Sequence, residues 1–155
     1  NKQGNVSGGT PENQTYSFVF PDLSLSDLSS DTYGPVITSA NISPTTGTAG
    51  TSIVFTATAT DPAGVRSVAA HYLSPNNSWV SFECSFDGGN TTETCTMSKE
   101  AGETPMHFSG TYTFNNFNAF DGDSNMSQYN KQGNVSGGTP ENQTYSFILP
   151  DLILD

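Results

Sequence analysis

The sequence predicts an all-β chain: an antiparallel β-sandwich of about seven strands, serving as one unit of a tandem array. Residues 52–60, SIVFTATAT, put Ile53, Phe55, Ala57 and Ala59 on one face and Thr56, Thr58 and Thr60 on the other. That period of two marks a strand with one side in a core and one in water. Further short runs of this kind are separated by clusters of Gly, Pro, Asn and Ser, and no segment combines helical periodicity with caps. The third observation is a repeat: NKQGNVSGGTPENQTYSF, from Asn1 to Phe18, recurs unchanged from Asn130 to Phe147, an offset of 129 residues. A copy that runs through a loop as well as a strand is what duplication of a whole repeat leaves behind. The chain therefore reads as cut from an array, starting in the tail of one repeat and ending in the tail of the next.

Residues 1–20 end in TYSFVF, with Tyr16, Phe18 and Phe20 on one face, and read as the closing strand and tail of a preceding repeat. Residues 21–34, PDLSLSDLSSDTYG, start with proline and are rich in Ser and Asp. They read as a linker, stiffened if Asp22, Asp27 and Asp31 share a cation. A complete domain is expected over 35–155. PVITSANISP (35–44) is its first strand, TTGTAGT a turn, 52–60 the second strand, DPAG (61–64) a turn and VRSVAAHYL (65–73) the third. SPNN then leads into SWVSFEC (78–84) and ETCTM (93–97), expected to pair as a hairpin around Gly88-Gly89. SKEAGE (98–103) is the one stretch with the composition of a helical turn. In SGTYTFNNFNAF (109–120), Phe114 and Phe117 would face opposite sides of a regular strand, so Asn115-Asn116 predicts a bulge. Residues 121–143 read as a long polar excursion. TYSFILPDL, with Tyr145, Phe147 and Leu149 on one face, is expected to close the domain.

The run PVITSANISPTTGTAGTSIVFTATATDPAGVRSV resembles the opening half of the immunoglobulin-like domains of long tandem-repeat cell-surface proteins of prokaryotes. It has their PVI start, their alternating second strand and their D-x-x-G-V turn into the third. AFDGDSN (119–125) is similar to the A-x-D-x-x-G-N turn that follows the sixth strand of those domains, with Ser124 standing where the pattern has Gly. The resemblance covers roughly residues 35–125. It implies an immunoglobulin-like sandwich acting as a stalk or adhesive unit of a surface fibre. It implies nothing about a ligand, because such sandwiches host many functions.

Acidic residues outnumber basic ones fifteen to four, for a net charge of -11. Nucleic acid and anionic membranes repel such a surface, while divalent cations are drawn to it. No apolar run approaches the roughly 20 residues that span a bilayer, so no membrane insertion is expected within these residues. An export signal and anchor are expected outside them.

Cys84 and Cys95 flank SFDGGNTTET, which predicts a cross-hairpin disulfide in an oxidising compartment; two small buried thiols are the alternative. Asn5, Asn13, Asn41, Asn76, Asn90, Asn125, Asn134 and Asn142 each stand two before Ser or Thr with no proline between, the acceptor pattern for N-glycosylation. Asn41 is the weakest, being followed by Ile42-Ser43-Pro44. In a chain this rich in Asn, Ser and Thr the same residues also serve as ordinary turn formers. Asp121, Asp123 and Asn125 have the D-x-D-x-N spacing that starts a Ca²⁺ loop, but Met126 stands where Gly is needed and Gln132 where a bidentate Glu belongs. A Ca²⁺ site completed by a distant oxygen, such as one from Asp61, is weighed against a plain Asx turn.

No Gly-flanked nucleophilic Ser, phosphate-cradling loop or His cluster is present, and the chain is read as having no enzymatic role. Trp79 with Tyr72, Phe82 and His71 suggests a flat sugar-binding patch, against the reading that these are core and edge aromatics. The expected function is a structural repeat of an extracellular cell-surface filament or adhesin. Its partners are then copies of itself, in a head-to-tail array whose Tyr16, Phe18 and Phe20 or Tyr145, Phe147 and Leu149 strands complete a domain by edge addition. The alternatives are a module that binds glycans or a host surface, and an accessory domain of a secreted hydrolase.

Overall fold

The computed structural model describes residues 31–131, 135–137 and 148–155. Residues 1–30, which hold Tyr16, Phe18 and Phe20, lie outside the described residues, as do Tyr145 and Phe147. The chain from Asp31 to Asp155 forms one compact unit. Its strands are β1 (Val36–Ser43), β2 (Thr46–Gly47), β3 (Ser52–Thr60), β4 (Val65–Leu73), β5 (Trp79–Ser85), β6 (Thr92–Glu100), β7 (Gly110–Asp121), β8 (Met126–Asn130), β9 (Val135–Gly137) and β10 (Leu152–Leu154). There is no helix among the described residues.

The strands form two sheets. One has the order β1-β3-β6; the other has β2-β10-β7-β4-β5, with β8 added to β7 and β9 to β8. All pairs are antiparallel except β2 with β10. In β3 the expected alternation is realised, with Ile53, Phe55, Ala57 and Ala59 buried and the threonines between them partly exposed. The two sheets share one core. Phe55 of β3 meets Phe82 of β5 and Phe117 of β7 at ring-centroid distances of 6.2 and 6.0 Å. Burying each such side chain contributes about 1.5–3 kcal/mol, and tilted ring pairs add to that.

The expected bulge lies in β7. His71 pairs with Asn116 and Tyr72 with Phe114, so Asn115 has no partner across the ladder. The extra residue resets the alternation. Phe114 and Phe117 are both buried, with centroids 5.1 Å apart, and Asn116 and Asn118 go to the outer face.

Elsewhere the structure departs from the sequence reading. The disulfide Cys84–Cys95 is formed, with Cα atoms 5.4 Å apart, but β5 and β6 are not a hairpin. β5 pairs with β4 and β6 with β3, so the bond joins the edge strands of the two sheets. The intervening turn carries the chain across the sandwich rather than back along it. SKEAGE contributes its first residues to β6, whose pairing runs to Ser52↔Glu100. The turn after β1 contains β2, which β10 covers. The polar excursion contains β8 and β9. β8 takes the edge of β7 that β4 leaves free, through Phe117↔Tyr129 and its neighbours. Finally, the described part of the closing segment becomes a strand only at Leu152; residues 148–151 precede it as non-strand, with Leu149 buried in the core.

Candidate metal centre

Three acidic side chains from three separate segments meet at one end of the unit. Asp61 follows β3, Asp121 ends β7 and Asp31 precedes β1; one carboxylate oxygen from each lies within 4.8 Å of the other two. Asp121 is fully buried and Asp61 nearly so, at 0% and 4% exposure. Buried carboxylates persist only when hydrogen bonds, a proton or a cation offset their charge.

Local turns aim each group. At Asp61 the Ala63 amide donates to Oδ1 at 2.7 Å, and the Gly64 amide to the main-chain oxygen at 3.2 Å. Gly64 is fixed by conformation and by space. Its φ is +91°, and a Cβ there would stand 1.9 Å from the Gly88 carbonyl oxygen. At Asp121 the Asn125 amide donates to Oδ1 at 2.7 Å, while Asn125 Nδ2 donates to Oδ2 at 2.7 Å. Ser124 makes this turn at a φ of 73°, the left-handed conformation that glycine favours.

Asp31 is held through its backbone. Its carbonyl oxygen accepts from Asn125 Nδ2 at 2.8 Å, and its Oδ1 accepts from the Tyr33 amide at 2.9 Å. The next odd residues of β8 extend this grip along the entering chain. Ser127 Oγ donates to the Pro35 carbonyl; Tyr129 Oη donates to the same carbonyl at 3.2 Å and accepts from the Ile37 amide at 3.0 Å. A Cβ on Gly34 would collide with the Met126 backbone at 2.4 Å, so the segment lies flush on β8.

The electrostatic outcome is concentrated on Asp61. Burial pushes its carboxyl up from 3.8 to about 6; the Ala63 N–H opposes this, and the charges of Asp31 and Asp121, with a hydrogen bond that the protonated Asp61 donates to Asp31, add to it. Among the described residues none of the three carboxylates forms an ion pair; the ion pair there joins Lys131 to Asp151 at 3.0 Å. Hard oxygen donors with no sulfur or imidazole suit Ca²⁺ or Mg²⁺ rather than zinc. Three carboxylates leave room for carbonyl and water oxygens, as Ca²⁺ with its about six to eight ligands requires.

The sequence-predicted residues divide here. Asp121 and Asn125 come together, but Asn125 holds the carboxylate and Asp31 through its amide nitrogen. Asp123 is exposed and outside the cluster. Asp61 and Asp31 both lie in the cluster; Asp22 and Asp27, the other members of the expected linker group, lie outside the described residues. Of the sequons, Asn76 and Asn90 are exposed and Asn125 is partly buried, while Asn5, Asn13, Asn134 and Asn142 lie outside the described residues. The expected aromatic patch splits between two faces: Tyr72 and Phe82 are fully buried, whereas Trp79 is 58% exposed beside a half-buried His71. No known family model matches the chain, and no curated protein matches it.

Proposed function

We propose that this chain is a structural repeat unit of an extracellular surface filament or adhesin, with an immunoglobulin-like sandwich as its folded domain. The observation that carries the reading is the unchanged recurrence of residues 1–18 at 130–147, because duplication of a domain-sized unit makes length and number rather than catalysis. The strand order supports the fold. β1-β3-β6 corresponds to an A-B-E sheet, and β2-β10-β7-β4-β5 to a sheet in which G, F and C are neighbours. Tyr112, near the start of β7, donates from Oη to the Phe108 carbonyl at 2.9 Å and accepts from its amide at 3.2 Å. This is the upstream tether of a tyrosine corner, which such domains place on strand F.

A divalent cation, with Ca²⁺ the best match, belongs to this reading. Held by Asp31, Asp61 and Asp121, it locks the last linker residues onto the domain body and makes the entry of each repeat rigid. The disulfide between the sheets and the acidic surface suit an oxidising, cation-rich exterior. The partners are further copies of the chain, adjacent in the array.

Antibodies raised against the purified chain test the reading on intact source cells. Labelling at regular intervals along structures outside the cell is expected; signal only after permeabilisation overturns it.

A further inference from the structure

On the outer face of the β5-β4-β7-β8 sheet, Trp79 stands over a shallow depression of about 370 Å³ lined by His71, Ser81, Asn116 and Asn118. That volume falls within the lower range of small-molecule sites. Its floor is a directed chain of hydrogen bonds. Gln128 Nε2 donates to Asn118 Oδ1 at 3.0 Å, Asn118 Nδ2 donates to His71 Nε2 at 3.2 Å, and His71 Nδ1 lies 2.8 Å from Ser81 Oγ. With Nε2 accepting, a neutral His71 carries its proton on Nδ1 and donates to Ser81. Burial lowers the His71 pKa, which keeps the ring in that neutral form. The chain therefore ends on a serine hydroxyl whose own proton is free to be donated.

Across β4 from it, Asn116 Oδ1 is shielded from solvent and has no hydrogen-bond donor among the described residues. An unmet buried acceptor is costly and rare in a settled surface. It is placed there by the bulge at Asn115, which turns Asn116 and Asn118 outward; bulges commonly re-aim side chains in this way beside functional sites. The Trp79 ring meets His71 edge-on, at 89° and 6.3 Å between centroids, and remains largely exposed. None of the lining residues carries a charge.

We infer that this depression is a binding site for a neutral carbohydrate, with the Trp79 ring stacked on a sugar face and separate hydroxyls bonded to Ser81 on one side of His71 and Asn116 on the other. The negative face of an indole attracts the weakly positive C–H hydrogens of a pyranose. One free donor on β5 and one unmet acceptor on β7, on either side of His71, match sugar hydroxyls, each of which both donates and accepts. An acidic sugar is disfavoured by the chain's net charge of -11. The inference rests on residues and a face separate from the acidic cluster and the repeat, so it and the proposed function fail or stand independently.

Trp79 is the single tryptophan of the chain, so its emission reports directly on stacking. The folded chain is applied to an array of neutral and sialylated oligosaccharides, and each retained glycan is titrated against tryptophan fluorescence. Retention of neutral glycans with a saturable emission change is expected. Trp79→Ala should weaken retention by about tenfold or more, and Ser81→Ala and Asn116→Ala by several-fold each, with unchanged melting temperatures. Phe108→Ala, which removes an exposed ring elsewhere, should bind as the parent does. No retention of any neutral glycan, retention without an emission change, or retention unaltered by Trp79→Ala overturns the assignment.

Discussion

The side-chain amide of Asn125 donates to the main-chain oxygen of Asp31 at 2.8 Å, and the same nitrogen donates to Asp121 Oδ2 at 2.7 Å. Asn125 is also the acceptor residue of a sequon whose Ser127 is fully buried. An N-linked sugar replaces one of the two hydrogens of this nitrogen, so glycosylation and closure of the turn compete. In a glycosylating host, peptide mass mapping of folded, secreted chain should find sugar at the exposed Asn76 and Asn90 and none at Asn125. Quantitative occupancy of Asn125 in protein of native stability would contradict the geometry. Asn125→Ala should cost about 1–3 kcal/mol in urea unfolding, because Asp121 Oδ2 loses its side-chain donor while Oδ1 keeps the backbone N–H of residue 125.

Protons and cations should compete at Asp61. Its folded carboxyl titrates near 6 and the free one near 3.8, so the folded state holds this proton more tightly than the unfolded state. The stability the proton contributes is complete below pH 3.8 and is lost as pH rises through about 6. In chelator, the Tm difference between the parent chain and Asp61→Asn should therefore shift in the parent's favour as pH falls from 7 to 5. A shift in the opposite direction sinks the argument. Ca²⁺ replaces the proton, so at pH 7 it should raise the parent Tm and flatten this dependence. The gain is about 2.7 kcal/mol at a hundredfold excess over Kd. Asp31→Asn and Asp121→Asn should each lose most of that gain in a calorimetric titration, whereas the exposed Asp123→Asn should retain it.

Reduction of Cys84–Cys95 should destabilise the domain by about 2–4 kcal/mol, read from urea unfolding with and without reductant. The bond joins the two sheet edges, where β5 and β6 share no ladder hydrogen bonds. Losing it frees one sheet edge from the other, and protease cleavage within residues 86–91 should accelerate with it. Unchanged stability of the Cys84→Ser, Cys95→Ser double variant would show that core packing alone holds the edges.

The fold class was legible where one face of a strand is uniform. β3 carries its alternation in full, because water and core select opposite residues at every second position, whereas β4 buries Val68, Ala69 and Ala70 in a row. β8 was not legible, since its inward residues are Ser127 and Tyr129, polar groups that earn burial only by bonding to Pro35 and Ile37. The Cys84–Cys95 pairing followed from composition, but its meaning did not. A separation of 11 residues is compatible with a hairpin and with a crossing between sheets alike. At the acidic centre the local D-x-D-x-N spacing yielded Asp121 and its holder Asn125. The sequence marks Asp61 only as one example of a distant completing oxygen and does not join Asp31 to this site at all, because contacts between segments far apart in the chain are set by the topology.

The bulge in β7 was legible from the four residues Phe114 to Phe117 and has a testable consequence. Phe114 and Phe117 are both in the core with centroids 5.1 Å apart, a placement that strict alternation forbids. Deleting Asn115 leaves Phe114-Asn116-Phe117, in which strict alternation keeps both phenylalanines inward, Asn116 and Asn118 outward, and Ala119 and Asp121 inward, as they already are. The deletion therefore straightens the strand without losing the packing of Phe117 against Phe55, whereas truncation of a buried phenylalanine costs about 3–5 kcal/mol. The deletion variant should be recovered folded, with a loss of Tm well short of that caused by Phe117→Ala. Asn115→Ser keeps the residue count and, its side chain being exposed, should stay within about 0.5 kcal/mol of the parent. A deletion as destabilising as Phe117→Ala would mean that Asn115 is not the extra residue, and the register assigned to β4 and β7 would have to be abandoned.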